Sequence, residues 1–469
     1  MRHLDTTMNR LNRRDKIKGL AVGAFAGLGT RLASATESEP VRTRKPEPWA
    51  PVDVLVCGGG PAGIAAAMMA ARSGAKTLLV ERYGRLGGMA VQAMVGPLMG
   101  NVRSAWVDEI LQHIGGRRVD YEFIDLKYAD LLQEAGCQIL LHAWIAEPLL
   151  DGERVIGARL VTKQGPIDVK ARVTVDATGD GDVAFAAGAE FDQGRGAGPN
   201  WEADGLVQPM TIMFRVAGVK HAETMETNGG RKAYRFPDGR TWNQLTKGAN
   251  ARGELPPTVG MVRTYLSSRD EERVINATQV NRVDGTKVQD LTHAELEGRR
   301  QVEPIVAFLR KNAPGFQNAY VSGMPAVIGV RETRRIRGIE SLSVEDLIAG
   351  KKSPRAVVRG ASFPVDIHNP AGIGQAQGVS AAHPLGKDPS VKPYDVPYGC
   401  LVPKRVNGLL MAGRCISGTH EAMASYRVQV IAMATGIAAG TAAAEASREN
   451  VEPRDVKVSQ VQSVVFEKA

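Results

Sequence analysis

The residues best suited to chemistry begin with a glycine-rich hexapeptide, Gly-Gly-Gly-Pro-Ala-Gly, at residues 58–63. An apolar run at 54–57 precedes it and an Ala- and Met-rich run at 64–73 follows it, which predicts a β-strand and an α-helix. A second apolar run at 75–80 leads to Glu81, placed about twenty residues beyond the glycines. In such a unit the turn binds a pyrophosphate at the helix N-terminus, and the carboxylate binds a ribose. The pattern therefore predicts a dinucleotide site.

Each position of the hexapeptide has a separate physical role. Gly58 permits the tight turn, Gly60 allows the backbone to approach a pyrophosphate, and Gly63 allows the helix to pack closely on the strand. Pro61 and Ala62 begin the helix, whose first N–H groups would face the phosphates. The acidic residue after the second strand would repel a 2′-phosphate, which argues against NADP at this site.

Four further segments narrow the choice of cofactor. The sequence Glu-Arg-Tyr-Gly-Arg-Leu-Gly-Gly-Met at 81–89 follows the second strand, and Val-Asp-Ala-Thr-Gly-Asp-Gly-Asp stands at 175–182. Val-Arg-Glu-Thr-Arg-Arg-Ile follows at 330–336, and Leu-Met-Ala-Gly-Arg-Cys-Ile-Ser at 410–417. With the hexapeptide, these segments resemble, over roughly residues 52–446, the FAD-dependent oxidoreductase family with a glutathione-reductase-like FAD-binding fold.

The resemblance implies non-covalently bound FAD and an α/β fold. A Rossmann-like FAD-binding domain with a parallel sheet and a β-meander would enclose an inserted α+β cap or substrate domain. No metal site is predicted. The implied cofactor-binding residues are Gly58, Gly60, Pro61, Ala62, Gly63, Glu81, Arg82, Gly87, Gly88, Met89, Ala177, Gly179, Asp182, Gly413 and Arg414.

The order of apolar and polar segments predicts the organisation of the chain. A long loop is predicted at 222–257, where Gly, Asn, Pro and charged residues are frequent, and a capping box at 292–295 predicts a helix start. Pro304 predicts a kink or a break in that helix. The predicted divisions are a signal peptide at 1–35, a linker at 36–50, an FAD-binding domain at 51–205 and 394–450, a cap domain at 206–393, and a C-terminal tail at 451–469.

The resemblance also implies where redox chemistry would occur. A substrate hydride would pass to flavin N5 while a protein base takes the accompanying proton. His420 is the candidate base, because it directly follows the last flavin segment and an imidazole titrates near neutral pH. The alternative is a structural His420 hydrogen-bonded to a loop backbone. Glu421 would orient His420, act itself, or be a surface charge.

Arginines are further candidates for holding an acidic group. Arg427 would anchor an acidic substrate group or offset negative charge on reduced flavin, or it is a salt-bridged residue of the last helix. Arg331, Arg334, Arg335 and Arg337 are dense enough to hold a carboxylate or phosphate, or they are solvated and paired.

Composition limits the class of protein. The 469 residues are 43% hydrophobic and 23% charged, which is typical of a soluble globular protein and excludes disordered, collagen-like and polytopic membrane proteins. Seven basic and two acidic residues at 1–35 supply +5 of the net charge of +9, so nucleic-acid binding is not expected. The four cysteines form no C-x-x-C pair; Cys400 and Cys415 would be a candidate disulfide in an exported protein.

The N-terminus has the parts of an export signal. A basic stretch at 12–18 precedes an uncharged run at 19–30, and Ala-Ser-Ala at 33–35 is a candidate cleavage site. The uncharged run is shorter than the roughly 20 residues of a membrane span, so no stable span is predicted. The pair at 13–14 resembles a twin-arginine signal, and a Sec signal or an uncleaved basic tail are the alternatives. A periplasmic location is therefore predicted.

These observations predict an exported FAD-dependent oxidoreductase acting on a small organic substrate. Two alternatives remain: a flavoprotein catalysing a non-redox isomerisation or hydration, and an electron-transfer subunit of a larger complex. The substrate, the electron acceptor and the oligomeric state are not specified by the sequence.

Overall fold

The structure is a computed structural model that describes residues 45–196, 203–220, 236–373 and 390–467. The predicted signal peptide and the first part of the predicted linker, residues 36–44, lie outside these ranges. Residues 46–469 form one compact unit.

The strands carry the labels β1 to β17 in chain order. They are β1 (Glu47–Pro48), β2 (Val52–Cys57), β3 (Thr77–Val80), β4 (Asn101–Arg103), β5 (Gln138–Leu140), β6 (Trp144–Asp151), β7 (Arg154–Thr162), β8 (Gly165–Asp176), β9 (Phe191–Gln193), β10 (Met213–Ala217), β11 (Arg263–Leu266), β12 (Arg273–Asn276), β13 (Tyr320–Gly323), β14 (Arg334–Ile336), β15 (Ala356–Ser362), β16 (Tyr394–Pro397) and β17 (Leu409–Met411).

The helices carry the labels α1 to α12. They are α1 (Pro61–Arg72), α2 (Met89–Gln92), α3 (Ala105–His113), α4 (Ile124–Glu134), α5 (Asp182–Ala186), α6 (Trp242–Ala251), α7 (Val288–Arg300), α8 (Val302–Asn312), α9 (Val344–Ala349), α10 (His420–Tyr426), α11 (Gln429–Glu449) and α12 (Val458–Val465).

The largest sheet has the predicted combination of a parallel part and a meander. Its main path is β5-β3-β2-β8-β7-β6, with β17 and β1 also paired to β8. The strands β5, β3, β2, β8 and β17 run parallel, whereas β6, β7 and β8 form the antiparallel meander. Residues 54–57 of β2 are fully buried, as expected for a parallel strand covered on both faces. The predicted α/β Rossmann-like fold is confirmed.

Helix α11 packs directly on α1, the helix that follows the glycine-rich turn. A Cβ added to Gly436 would lie 2.0 Å from the carbonyl oxygen of Ala62, and one added to Gly440 would lie 2.0 Å from that of Ala66. Among the described residues, α11 alone has the length and hydropathy of a membrane span, but its apolar stretch is wholly buried in the protein. It is therefore a core helix, and its small residues permit two helix backbones to approach closely.

A second apolar core lies apart from the first. Its members come from residues 210–328 and surround the antiparallel sheet β11-β12-β10-β13, with Trp242 and Phe316 almost completely buried. Apolar residues between 336 and 361 belong instead to the first core. The second core thus occupies only part of the predicted cap at 206–393, and the predicted tail contains the packed helix α12.

Three local predictions differ from the structure. The predicted loop at 222–257 contains α6, which begins at a capping box made by Thr241 and Gln244. Helix α7 begins at Val288 rather than at Thr292, whose hydroxyl instead donates to the carbonyl oxygen of Val288. The helix does break as predicted, but at residue 301, which leaves Pro304 in the first turn of α8.

Candidate cofactor and substrate site

The glycine-rich turn connects β2 to α1 by a close approach of backbones. Gly58 has φ +107°, and a Cβ there would lie 2.5 Å from the carbonyl oxygen of Ala177. A Cβ on Gly63 would lie 1.8 Å from the carbonyl oxygen of Gly58, so the helix and the strand end are in direct contact. No side chain caps the N-terminus of α1 at Gly60. The first turn of the helix is therefore available to an anionic ligand.

Glu81 lies beside this turn with 5% of its surface exposed. The N–H of Gly59 donates to its Oε2 at 2.6 Å, and the N–H of Tyr83 donates to its Oε1 at 3.0 Å. A carboxylate accepts about four hydrogen bonds, so capacity remains for the two hydroxyls of a ribose. The neighbouring Arg82 guanidinium lies over the rings of Tyr83 and Trp144.

The loop after β8 is held beside the turn by a buried carboxylate. Asp176 accepts hydrogen bonds from the N–H and the hydroxyl of Thr178 and from the N–H of Ala184. Burial raises the pKa of Asp176 to about 6. Arg414 ties this loop to the last flavin-type segment, because it pairs with Asp180 and donates to the carbonyl oxygen of Gly179 at 3.0 Å.

A cavity of about 850 Å³ extends from this turn. That volume is within the range of small-molecule and cofactor sites. Thirteen of the predicted site residues line it: Gly58, Gly60, Pro61, Ala62, Glu81, Arg82, Gly88, Met89, Ala177, Gly179, Gly413, Arg414 and Arg427.

Three predicted cofactor residues lie outside this lining. Gly63 packs against the strand end, and Gly87 donates its N–H to the carbonyl oxygen of Gly59 at 2.8 Å. Asp182 pairs with Arg334 at 2.9 Å and lines a much smaller cavity that also includes Arg82. They therefore support the turn and the residues beside it, and they do not form the surface of the larger cavity.

The structure places His420 in a buried ion-pair network. Its Nδ1 is 2.8 Å from Oε1 of Glu332, and that oxygen also accepts from Arg335. Burial tends to raise the pKa of Glu332, but His420 and Arg335 hold it below its usual value. Of the described residues that line the cavity, neither His420 nor the adjacent, partly buried Glu421 is one. His420 therefore has a partner that the sequence did not indicate, a carboxylate rather than a loop backbone.

The predicted arginine group is not brought together. Arg334 pairs with Asp182, Arg335 with Glu332, and Arg337 with Asp192. Only Arg331 of this group lines the cavity, where it donates to the carbonyl oxygen of Pro209 at 2.7 Å and to the hydroxyl of Thr211 at 2.6 Å. The cysteines Cys400 and Cys415 are both free and buried.

The cavity lining also contains charged side chains that the sequence analysis missed. Arg263 and Tyr265 come from β11, and Asp366 and His368 follow β15. Arg427 donates to the backbone oxygen of Asp366 at 3.0 Å and to its Oδ2 at 3.3 Å. No local motif surrounds these residues, because distant segments of the chain bring them together.

His368 is neutral in this surrounding. The residue is 7% exposed, and its Nε2 lies 3.7 Å from Oδ2 of Asp366. Burial and the positive charge of Arg331 lower the pKa of His368 to about 3. Burial and Arg427 likewise lower the pKa of Arg331 to about 9.

The residues at the turn fit FAD. A Cβ on Gly60 would meet only the Cα of Gly88, at 3.8 Å, so a side chain there would fill the space beside the helix N-terminus. The helix dipole at α1 suits a diphosphate, and Glu81 suits the adenosine ribose. Bound FAD would thus be held by Gly60, Pro61, Ala62 and Glu81.

Comparison with known proteins agrees with this fit. A family model described as FAD dependent oxidoreductase matches residues 53–465. Thiamine thiazole synthase of Aeropyrum pernix is 30% identical over 203 residues, which is 36% of this chain and 73% of that protein. Digeranylgeranylglycerophospholipid reductase 1 of Methanopyrus kandleri is 28% identical over 231 residues, 43% of this chain and 58% of that protein.

A solved structure, that of a geranylgeranyl bacteriochlorophyll reductase-like protein of Thermoplasma acidophilum, has a TM-score of 0.45 and 14% identity. That match covers 89% of this chain and 84% of the other. The family model, by contrast, spans the chain from β2 to the last helix and includes every flavin-type segment. The chain therefore belongs to the FAD dependent oxidoreductase family and is an FAD-dependent enzyme.

Proposed function

We propose that the protein oxidises a small organic substrate in the cavity that FAD shares, within the glutathione-reductase-like branch of FAD-binding folds. One observation supports this above the others. A single cavity is lined by the dinucleotide turn and by Arg263, His368 and Arg427, so a substrate and the cofactor would meet inside it. When bound, FAD supplies a ring system that accepts a hydride.

The cavity residues that could assist are those able to orient a substrate or accept its proton. Among the described residues His368 is the histidine that lines the cavity, so it is placed to accept a proton from a substrate bound there. Under this proposal His368 accepts the substrate proton, in place of His420, which the sequence analysis proposed as the base. His420 would then act through Glu332 and Arg335 as a positioning residue.

An anaerobic substrate screen tests the reaction. The purified protein should be yellow, and its flavin should bleach with a substrate of the correct class. Turnover without bleaching would point to the non-redox alternative, and reduction only with a second protein would point to an electron-transfer subunit. A colourless protein that takes up no FAD would contradict the proposal.

The two histidines can be separated once a substrate is known. His368→Gln should slow flavin reduction by at least about a hundredfold and leave FAD bound. His420→Gln should have the smaller effect. The reverse order would restore His420 as the base.

We also propose export through the twin-arginine pathway. Its support is the arrangement of the basic stretch, the uncharged run and the small residues within residues 1–35. A pathway that carries folded proteins suits a protein whose cofactor is inserted before export.

A further inference from the structure

One part of the cavity lining has an excess of positive charge. Three guanidinium groups, those of Arg263, Arg331 and Arg427, line it together with one carboxylate, that of Asp366. All three arginines are partly buried. Charges of one sign in a partly buried site are costly unless a partner offsets them. These three residues are named the arginine trio below.

Hydrogen bonds within the protein leave donors of the trio unused. Among the described residues, Arg331 donates hydrogen bonds only through Nη1 and Arg427 only through Nη2. The buried Nε of Arg427 has no partner among the described residues. Arg263 likewise makes no side-chain hydrogen bond or ion pair with a described residue. Guanidinium donors that face a cavity suit an oxyanion.

The arginines that line the cavity beside the glycine-rich turn do not share this excess. Arg82 and Arg414 are balanced there by Glu81 and Asp180, and Arg414 is paired directly with Asp180. The N-terminus of α1 can therefore bind the diphosphate of FAD without help from the trio. The excess at the trio is left for a different anion.

The trio is assembled from separate parts of the fold. Arg263 lies on β11 of the second core's sheet, and Arg427 directly follows α10, which packs with the first core. Arg331 comes from the segment between the two cores. A ligand bound by all three would therefore contact both parts of the molecule.

We propose that the arginine trio binds an oxyanion, a carboxylate or a phosphate group, of the substrate. This inference rests on the proposed function, because it assigns the substrate class of the same cavity. Asp366 is a positioning residue in it: its backbone oxygen and its carboxylate Oδ2 each accept from Nη2 of Arg427, which leaves the other guanidinium nitrogens of Arg427 without a partner among the described residues.

The test uses the FAD-loaded protein and calorimetric titration with defined anions. Benzoate and inorganic phosphate are the anionic probes, and benzamide is the neutral match for benzoate. At least one anion should bind, benzamide should bind at least about tenfold more weakly than benzoate if benzoate binds, and the Kd should rise with salt. Binding of benzoate alone indicates a carboxylate substrate, and binding of phosphate alone a phosphorylated one.

Variants assign the binding to the trio. Arg263→Gln should raise the Kd of the bound anion at least about tenfold while the ratio of FAD to protein is unchanged. Arg263→Lys keeps the charge and should bind with intermediate affinity. Arg300→Gln removes a 71% exposed arginine at the end of α7 and should behave as wild type.

Three results would overturn the inference: no anion binds, benzamide binds as well as benzoate, or Arg263→Gln leaves the Kd unchanged. Loss of FAD in Arg263→Gln would show instead that Arg263 serves the cofactor. Calorimetry does not depend on flavin colour. A protein that binds anions but whose flavin no substrate reduces would therefore contradict the proposed oxidation alone.

Discussion

Glu332 shows how one buried carboxylate can occupy the hydrogen-bonding groups of its neighbours. Its Oε1 contacts Nδ1 of His420 and accepts a hydrogen bond from Arg335. Its Oε2 accepts a hydrogen bond from the N–H of Gln208 at 2.9 Å. The imidazole of His420 is thus oriented by the protein. His368 differs because it lines the cavity next to an excess of guanidinium groups. Two histidines of one chain therefore suit different roles, and their surroundings make the difference.

Removing the charge of Glu81 tests the ribose contact at the same scale. Glu81→Gln keeps an oxygen for the N–H of Gly59 but loses the anionic acceptor, so the Kd for FAD should rise about tenfold or more. Fluorescence titration of the apoprotein with FAD measures this. Glu147→Gln, at a 56% exposed side chain, is the control. An unchanged Kd in Glu81→Gln would remove this residue from the cofactor site.

His368 should give the stability of the protein a specific pH dependence. Its pKa is about 3 in the folded chain and about 6.5 in an unfolded one, so the unfolded state binds more protons between these values. Its stabilising contribution is present above pH 6.5 and decreases as the pH falls. Between pH 7 and pH 5 the loss is about 2 kcal/mol.

Denaturant unfolding at pH 7 and pH 5 measures that loss. His368→Gln should lose about 2 kcal/mol less than wild type over this interval. His293→Gln, on the solvent-exposed part of α7, should keep the wild-type loss. Equal losses in wild type and His368→Gln would mean that His368 titrates normally.

At the scale of elements, the contact between α1 and α11 determines how the glycine-rich turn is supported. Gly436 and Gly440 lie against backbone oxygens of α1, and Ala62 in that contact also lines the cavity. The turn therefore rests on a helix that is distant in sequence. Interhelix packing and cofactor binding are coupled through a few small residues.

Adding one methyl group tests that contact. Gly440→Ala places a carbon 2.0 Å from the carbonyl oxygen of Ala66, so the free energy of unfolding should fall by about 2 kcal/mol. Gly248→Ala, in α6, meets only the flexible end of Arg252 and should be neutral or slightly stabilising. Denaturant titration compares them, and equal stabilities would contradict close α1–α11 packing.

The elements also show what the sequence could and could not predict. The parallel strands and α1 follow from local apolar runs and glycines, and they formed where predicted. The start of α6 is marked in the sequence by the capping-box residues Thr241 and Gln244, but they lie within a polar stretch that favoured a loop. Arg263 and His368 had none, because their proximity depends on how β11 and the segment after β15 meet. Local patterns predict helices and strands, whereas contacts between distant segments determine which other residues line the cavity.

At the scale of the whole molecule, two apolar cores are joined around one cavity. The first core holds the cofactor turn, and the second supplies the sheet with Arg263. The cavity contains residues of both parts. This arrangement lets substrate recognition change in one part while the cofactor site is retained in the other.

The export proposal also concerns the whole chain. Replacing Arg13 and Arg14 by Lys should leave full-length precursor in the cytoplasm, because the paired arginines are the feature that the pathway reads. Fractionation and immunoblotting measure the distribution. Replacing Arg2 and Arg10 by Lys is the control. Normal export of the Arg13/Arg14 variant would contradict dependence on the twin arginines.

Helix α11 has a consequence for the synthesis of this protein. The cavity is lined both by Gly58, directly after β2, and by Ala432 on α11, which comes much later in the chain. A ribosome must therefore have synthesised α11 before the pocket can close. Flavin loading then follows the synthesis of α11, long after the turn at Gly58 has left the ribosome.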